Sequence, residues 1–138
     1  MQEVKMNLVE KLVKADTNKA YELKKGTFKS KRLAELIGEK EPVEVQIREI
    51  PQRKVNDLMA MQYSSKGNFQ IERTFDAKLM SIVEGVVEPA LNDKDLLTHF
   101  NAQSPKALAE VLFGAEVTAL SDAIMEISGV VDDSDVKN

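Results

Sequence analysis

Apolar side chains recur at helical spacing through most of the second half of the chain. Phe75, Leu79, Ile82, Val83, Val86 and Val87 fall on one stripe. This predicts an amphipathic helix closing near Pro89, because proline has no amide hydrogen to continue the ladder. Asp93 is placed to cap a short helix from Lys94 to Phe100. Ser104-Pro105 reads as a cap followed by the first helical residue, with Leu108, Val111, Leu112 and Phe113 supplying that helix's buried side. Beyond Gly114, Val117, Leu120, Ala123, Ile124 and Ile127 repeat at the same spacing until Gly129, a residue that commonly ends a helix. Four helices in succession, joined by short links, are expected to pack on one another.

The first half is more mixed. Asn7 is a cap for a short helix carrying Leu8, Leu12 and Val13, which breaks at Asp16-Thr17-Asn18. Residues 19–29 fit an edge strand and a mobile arm equally well, since Tyr21, Leu23 and Phe28 are their only large apolar groups and Gly26 interrupts them. Ser30 caps a small helix over Lys31 to Ile37, and Gly38 stands where it stops. Val43, Val45 and Ile47 alternate with polar residues, the clearest strand signal in the chain, and Pro51 closes that segment. A helix follows from Gln52 to about Gln62, with Val55, Leu58 and Met59 on its stripe. Residues 64–68 form a loop or hairpin turn, and Phe69 and Ile71 belong to a very short strand or to the approach to the next helix. The fold class is therefore α+β and predominantly helical, with a compact helical C-terminal half and a small strand or hairpin element in the N-terminal half.

With 138 residues, of which 43% are hydrophobic and 30% charged, the chain has the material for one modest core. Residues 1–130 are expected to form a single domain, and 131–138, acidic and without periodicity, a frayed tail. There is no cysteine, which removes disulfides and thiolate chemistry. No span approaches eighteen apolar residues, and the N-terminal stretch is too charged to read as a signal peptide, so no membrane partner is expected.

The search for chemistry returns little. His99 is the sole histidine and lies beside Phe100, and the glycines form no phosphate-binding motif. Glu72, Asp76, Glu84 and Glu88 follow four-residue spacings that place much of the set on one wet helical face, but no Glu-x-x-His motif accompanies them. Asp132, Asp133 and Asp135 lack the glycine and closing glutamate of a calcium loop. Neither a catalytic residue nor a metal or cofactor ligand is assigned.

Formal net charge is only −4, but it is unevenly spread: residues 11–40 hold nine Lys or Arg against four Asp or Glu. Within that stretch Lys24, Lys25, Lys29, Lys31 and Arg32 surround Phe28 and form a candidate basic patch. Cations could grip phosphates there while the ring stacks on a base. The following helix is only about two turns long, and the chain as a whole is acidic, so nucleic acid is the weaker reading. Protein binding asks for less special equipment, and the methionines Met59, Met61, Met80 and Met125 suit a core or an adaptable groove.

Four stretches together resemble the XkdN-like tail assembly chaperones of siphophages and myophages of Gram-positive bacteria, including defective prophages. They are Ser30-Lys31-Arg32-Leu33-Ala34-Glu35-Leu36-Ile37-Gly38, the passage from Val43 to Pro51, the run from Val86 through Leu91 to Asp95-Leu96-Leu97, and Leu112-Phe113-Gly114-Ala115-Glu116-Val117-Thr118-Ala119-Leu120 through Gly129. Where relatives tend to read Pro-Gly-Glu before the last helix, this chain has Phe113-Gly114-Ala115-Glu116.

The resemblance implies a protein that transiently binds the phage tape measure protein and keeps it from aggregating until the major tail protein polymerises around it. It further implies a place in the bacterial host cytoplasm, absence from the mature virion, and in related systems a longer frameshifted product. Self-association is a further candidate behaviour. Leu79, Val83, Val86, Leu120 and Ile124 are the candidate partner-binding residues, drawn from the same stripes that predict the core. The alternative roles are a structural tail component and a small DNA-binding regulator.

Overall fold

The computed structural model describes residues 7–130, so the acidic segment 131–138 lies outside the described residues. Among these, 57% are helical and 14% extended, an α+β fold in which helix dominates.

The sheet begins with the alternation around Val45. In β2 (Val43–Arg48), Val45 and Ile47 are buried while Glu44, Gln46 and Arg48 are exposed, so one face is apolar and the other wet. β1 (Lys25–Ser30) pairs antiparallel with it, Lys25 opposite Arg48 and Ser30 opposite Val43. Of the two readings for residues 19–29, the edge strand holds from Lys25 onwards. Just before it, Thr17–Tyr21 forms a 3-10 turn capped by the Asp16 carboxylate, which accepts from the Asn18 amide at 2.9 Å.

Between the two strands sits α2 (Lys31–Ile37). Its first turn is capped by Ser30 Oγ, which accepts from the Leu33 amide at 3.0 Å, and Gly38 ends it at φ 77°, in the left-handed region that favours glycine.

α3 (Gln52–Ala60) buries Val55 and Leu58 but leaves Met59 exposed. A tight turn follows in which the Ser64 amide donates to the Asn68 carbonyl at 2.7 Å, and a single bridge joins Tyr63 to Phe69.

α4 (Thr74–Gly85) is shorter than the pattern predicts. The stripe from Phe75 to Val87 does not form one helix: the chain straightens after Gly85, and Val86–Glu88 makes β3, a third strand antiparallel to β2. Glycine at the helix end followed by two β-branched residues favours extended backbone, and β2 offers an unpaired edge to receive it. The register shifts between Gln46 and Ile47, leaving Val87 unpaired and exposed. Phe75 is exposed as well, so the buried face of α4 is Ala77, Leu79, Ser81, Ile82 and Gly85.

α5 (Lys94–His99) and α6 (Pro105–Phe113) begin where the caps place them, and α7 (Val117–Ile127) follows without a side-chain cap. Asp93 accepts from the Leu96 amide at 3.0 Å and Ser104 from the Ala107 amide at 3.1 Å. Val111, expected on the buried side of α6, is exposed.

α7 lies across α4 and the inner face of the sheet. The crossing with α4 is close because small residues meet there: Ser81 Oγ and Ser121 Oγ are hydrogen-bonded at 2.7 Å. Phe113, Leu108, Leu120, Ile124, Ile82 and Ile47 are the centre of the core, each at most 1% exposed. Each buried side chain of this kind stabilises by roughly 1.5–3 kcal/mol relative to leaving it in water.

One element stands apart. α1 (Leu8–Val13) is capped by Asn7 Oδ1, which accepts from the Glu10 amide at 2.8 Å, yet none of its residues is buried.

Candidate partner-binding surfaces

The candidate contacts drawn from the helical stripes are placed inside the molecule. Leu79, Val86, Leu120 and Ile124 are buried core residues. Val83 is half-buried and, with Val86, lines a hollow of about 470 Å³ beside Arg48, Ala90 and Pro105. For Leu79, Leu120 and Ile124 to meet a partner, α4 and α7 would have to separate. A stripe that closes a core and a stripe that greets a partner have the same spacing, so periodicity alone cannot tell them apart.

The basic patch is divided in the same way. Lys24, Lys25, Lys29 and Lys31 are exposed, and Lys25 and Lys29 share the outward side of β1 with Thr27. Phe28 alternates inwards and packs on the core, so the ring is not free to stack on a base. Arg32 is turned inwards too. Its Nε donates to the Leu112 carbonyl at 3.0 Å and its guanidinium reaches the Val111 carbonyl at 2.8 Å, satisfying the last turn of α6.

Around Arg32 the structure builds a junction that residue patterns did not reveal. The Glu116 carboxylate accepts from Ser30 Oγ, from the Lys31 amide at 3.0 Å and from the Arg32 amide at 3.4 Å, so an acid from the start of α7 occupies the N-terminus of α2. The Arg32 side chain lies over Gly114, where φ is +48° and any Cβ would come within 2.8 Å of the guanidinium. Gly114 is thus required both by its backbone and by its neighbour. The Phe113-Gly114-Ala115-Glu116 passage is the hinge point of this junction.

Among the described residues, three exposed apolar surfaces remain. The first is a groove between α2 and α5, about 220 Å³, lined by Leu33, Leu36, Ile37, Val43, Leu96 and Phe100, with Glu44 and Glu88 also contributing to its wall. Leu36 and Ile37 are 46% and 61% exposed, which is high for aliphatic side chains adjoining an apolar hollow. A neighbouring hollow of about 550 Å³ shares Glu88, Pro89 and Leu96 with it and adds Asp93, Asp95 and His99. His99 rests edge-on against Phe100 with ring centroids 5.0 Å apart.

The second surface gathers Met59, Tyr63, Phe69, Ile71 and Phe75 around the α3–α4 turn, where the Tyr63 and Phe69 rings meet edge to face at 5.6 Å. The third is the apolar side of α1.

The hollow beside the groove brings His99 together with Glu88, Asp93 and Asp95, and Asp93 there is engaged as the cap of α5. Glu88 leaves the helical acidic set by lying on β3, and Asp76 is paired with Lys106 at 3.0 Å. Among the described residues no group of three or more His, Asp or Glu is arranged to hold a metal ion, and no helix is long and apolar enough to cross a membrane.

A family model described as the phage XkdN-like tail assembly chaperone protein matches residues 9–138. The chain belongs to this family. Its place in phage tail morphogenesis follows, and the resemblance carried by the four stretches above is confirmed by a match over most of the chain. No curated protein and no solved structure matches it.

Proposed function

We propose that this protein is a chaperone for the phage tape measure protein, binding exposed apolar helical segments of that client in the host cytoplasm and leaving before the tail is complete. Family membership carries this reading, and the groove between α2 and α5 supplies a surface of suitable chemistry.

A helix laid into an apolar groove is a recurrent mode of recognition, in which apolar side chains three and four residues apart serve as anchors. The groove is shallow enough for affinity to stay modest, which a chaperone needs if polymerising major tail protein is to displace it. The core residues Leu79, Leu120 and Ile124 act here by holding α4 and α7 together, while α6 lies beneath both α2 and α5. Val83, half-buried at the second hollow, is the member of the earlier set within reach of a partner.

Co-expression tests the proposal. A tape measure fragment that aggregates when made alone should become soluble and co-elute with the chain, and purified virions should lack it. Retention in finished virions, or a client equally insoluble with and without the chain, would overturn the reading.

A further inference from the structure

The apolar groove between α2 and α5 runs into an acidic hollow. The two share Glu88, Pro89 and Leu96, and the hollow adds Asp93, Asp95 and His99. Among the described residues no Lys or Arg lines either one. Lys94 lies between two of these acids in the chain but outside both linings.

The carboxylates around this surface are not equivalent. Asp93 accepts from the Leu96 amide as the cap of α5, and Glu44 stands opposite Lys29 across the sheet, so each already answers a donor or a cation. Glu88, on β3, stands opposite the neutral Gln46, and Asp95 lies in the first turn of α5. Arg48, two positions further along β2, donates instead to the Glu84 carbonyl at 3.3 Å. Glu88 and Asp95 are exposed, and neither is in a salt bridge among the described residues. A segment that covers the groove without bringing a cation would strip water from both charges and leave them unanswered.

We propose that Glu88 and Asp95 select the client: the groove takes an amphipathic helix whose apolar anchors are flanked by Lys or Arg, and the flanking cation faces these two carboxylates. The selection rests on the client reading and names which helices are taken. Helices with acidic flanks are turned away by repulsion, so one pair of side chains supplies both the attraction and the discrimination.

Two synthetic helices test it, alike in their apolar anchors but flanked by Lys in one and by Glu in the other. By fluorescence polarisation with the full chain at ~0.05 M salt, the Lys form should bind about tenfold more tightly, and ~0.5 M salt should shrink that preference to about twofold. Glu88→Gln/Asp95→Asn, which spares the Asp93 cap, should shrink it equally at low salt while the thermal melt stays close to that of the parent.

Equal affinity for the two helices in the parent chain, no binding of either, or a preference that survives the double substitution overturns the proposal. So does several-fold tighter binding of the Lys helix by Leu8→Gln/Leu12→Gln, since the groove would then belong to α1 of this chain or of a second copy. Co-expression with the tape measure fragment reports separately on the client. A fragment kept soluble by a chain that shows no preference removes the selection alone. A Lys-helix preference without capture removes the client and leaves the pairing of cation and carboxylates standing.

Discussion

Gly85 is the point at which a single methyl group should be most informative. It closes α4 with a backbone φ outside the left-handed region, so alanine is conformationally permitted there. Helix propensity alone would favour the change by up to about 0.8–1.0 kcal/mol. Yet a Cβ at this position would overlap the Ile124 side chain, including Cδ1 at 2.9 Å and Cγ1 at 3.0 Å, and Ile124 is 0% exposed with nowhere to retreat. Overpacking of this kind costs about 1–3 kcal/mol, and contact with a fully buried side chain puts this case in the upper half of that range, so Gly85→Ala should be net destabilising by about 1–2 kcal/mol. The melting temperature should fall by about 3–6 °C for a chain of this length.

Urea unfolding followed by circular dichroism measures the change directly, with the midpoint lowered and the slope unaltered. The cause is checked by a second substitution. Ile124→Ala alone should cost about 2–5 kcal/mol, and in the Gly85→Ala background at least ~1 kcal/mol less, because the truncated side chain makes room for the methyl group. Gly85→Ala at or above parent stability, or strict additivity of the two changes, would refute the close crossing of α4 and α7.

Three further outcomes follow from the polar contacts and the divided basic patch. Arg32→Ala should destabilise by about 1–3 kcal/mol, because two α6 carbonyls lose a charged donor; Arg32→Lys should not restore the loss, and a change below about 0.5 kcal/mol contradicts the junction. Ser128→Ala should cost about 1–3 kcal/mol and speed amide exchange at Ile50, whose buried N–H donates to Ser128 Oγ at 2.8 Å; unchanged protection at Ile50 would count against it. Fluorescence polarisation with duplex and single-stranded DNA at about 0.15 M salt should detect no binding, since Phe28 and Arg32 are engaged internally; strongly salt-dependent affinity would return the basic patch to consideration.

The elements most legible in the residues were those whose ends are set by local chemistry. Asn7, Ser30, Asp93 and Ser104 each cap the helix they precede, because a short polar side chain answers an amide two or three residues on, and that relation is visible in one dimension. β3 was not legible for the opposite reason. Val86 and Val87 continue the spacing of Ile82 and Val83, and what makes them a strand is the free edge of β2, about forty residues earlier in the chain. Gly85 ahead of two valines was the available signal.

The candidate site was less legible still. Arg32 reads as one more cation in a basic run until the α6 carbonyls, eighty residues away, come into range. The groove assembles side chains from α2, β2 and α5 that share no periodicity. Leu36 and Ile37 fall in the small helix that Ser30 caps, and their exposure depends on which neighbours α2 acquires.

The central claim is that the groove between α2 and α5 holds the client. Its most direct measurement is the fraction of a tape measure fragment kept soluble by the full chain compared with Ile37→Glu, with the thermal melt of both proteins recorded alongside. Ile37 is 61% exposed, so the charge should leave stability within about 0.5 kcal/mol of the parent. Capture should nevertheless fall at least about tenfold, because a carboxylate in an apolar groove must be desolvated when a helix docks. Full capture by a well-folded Ile37→Glu chain would contradict the account.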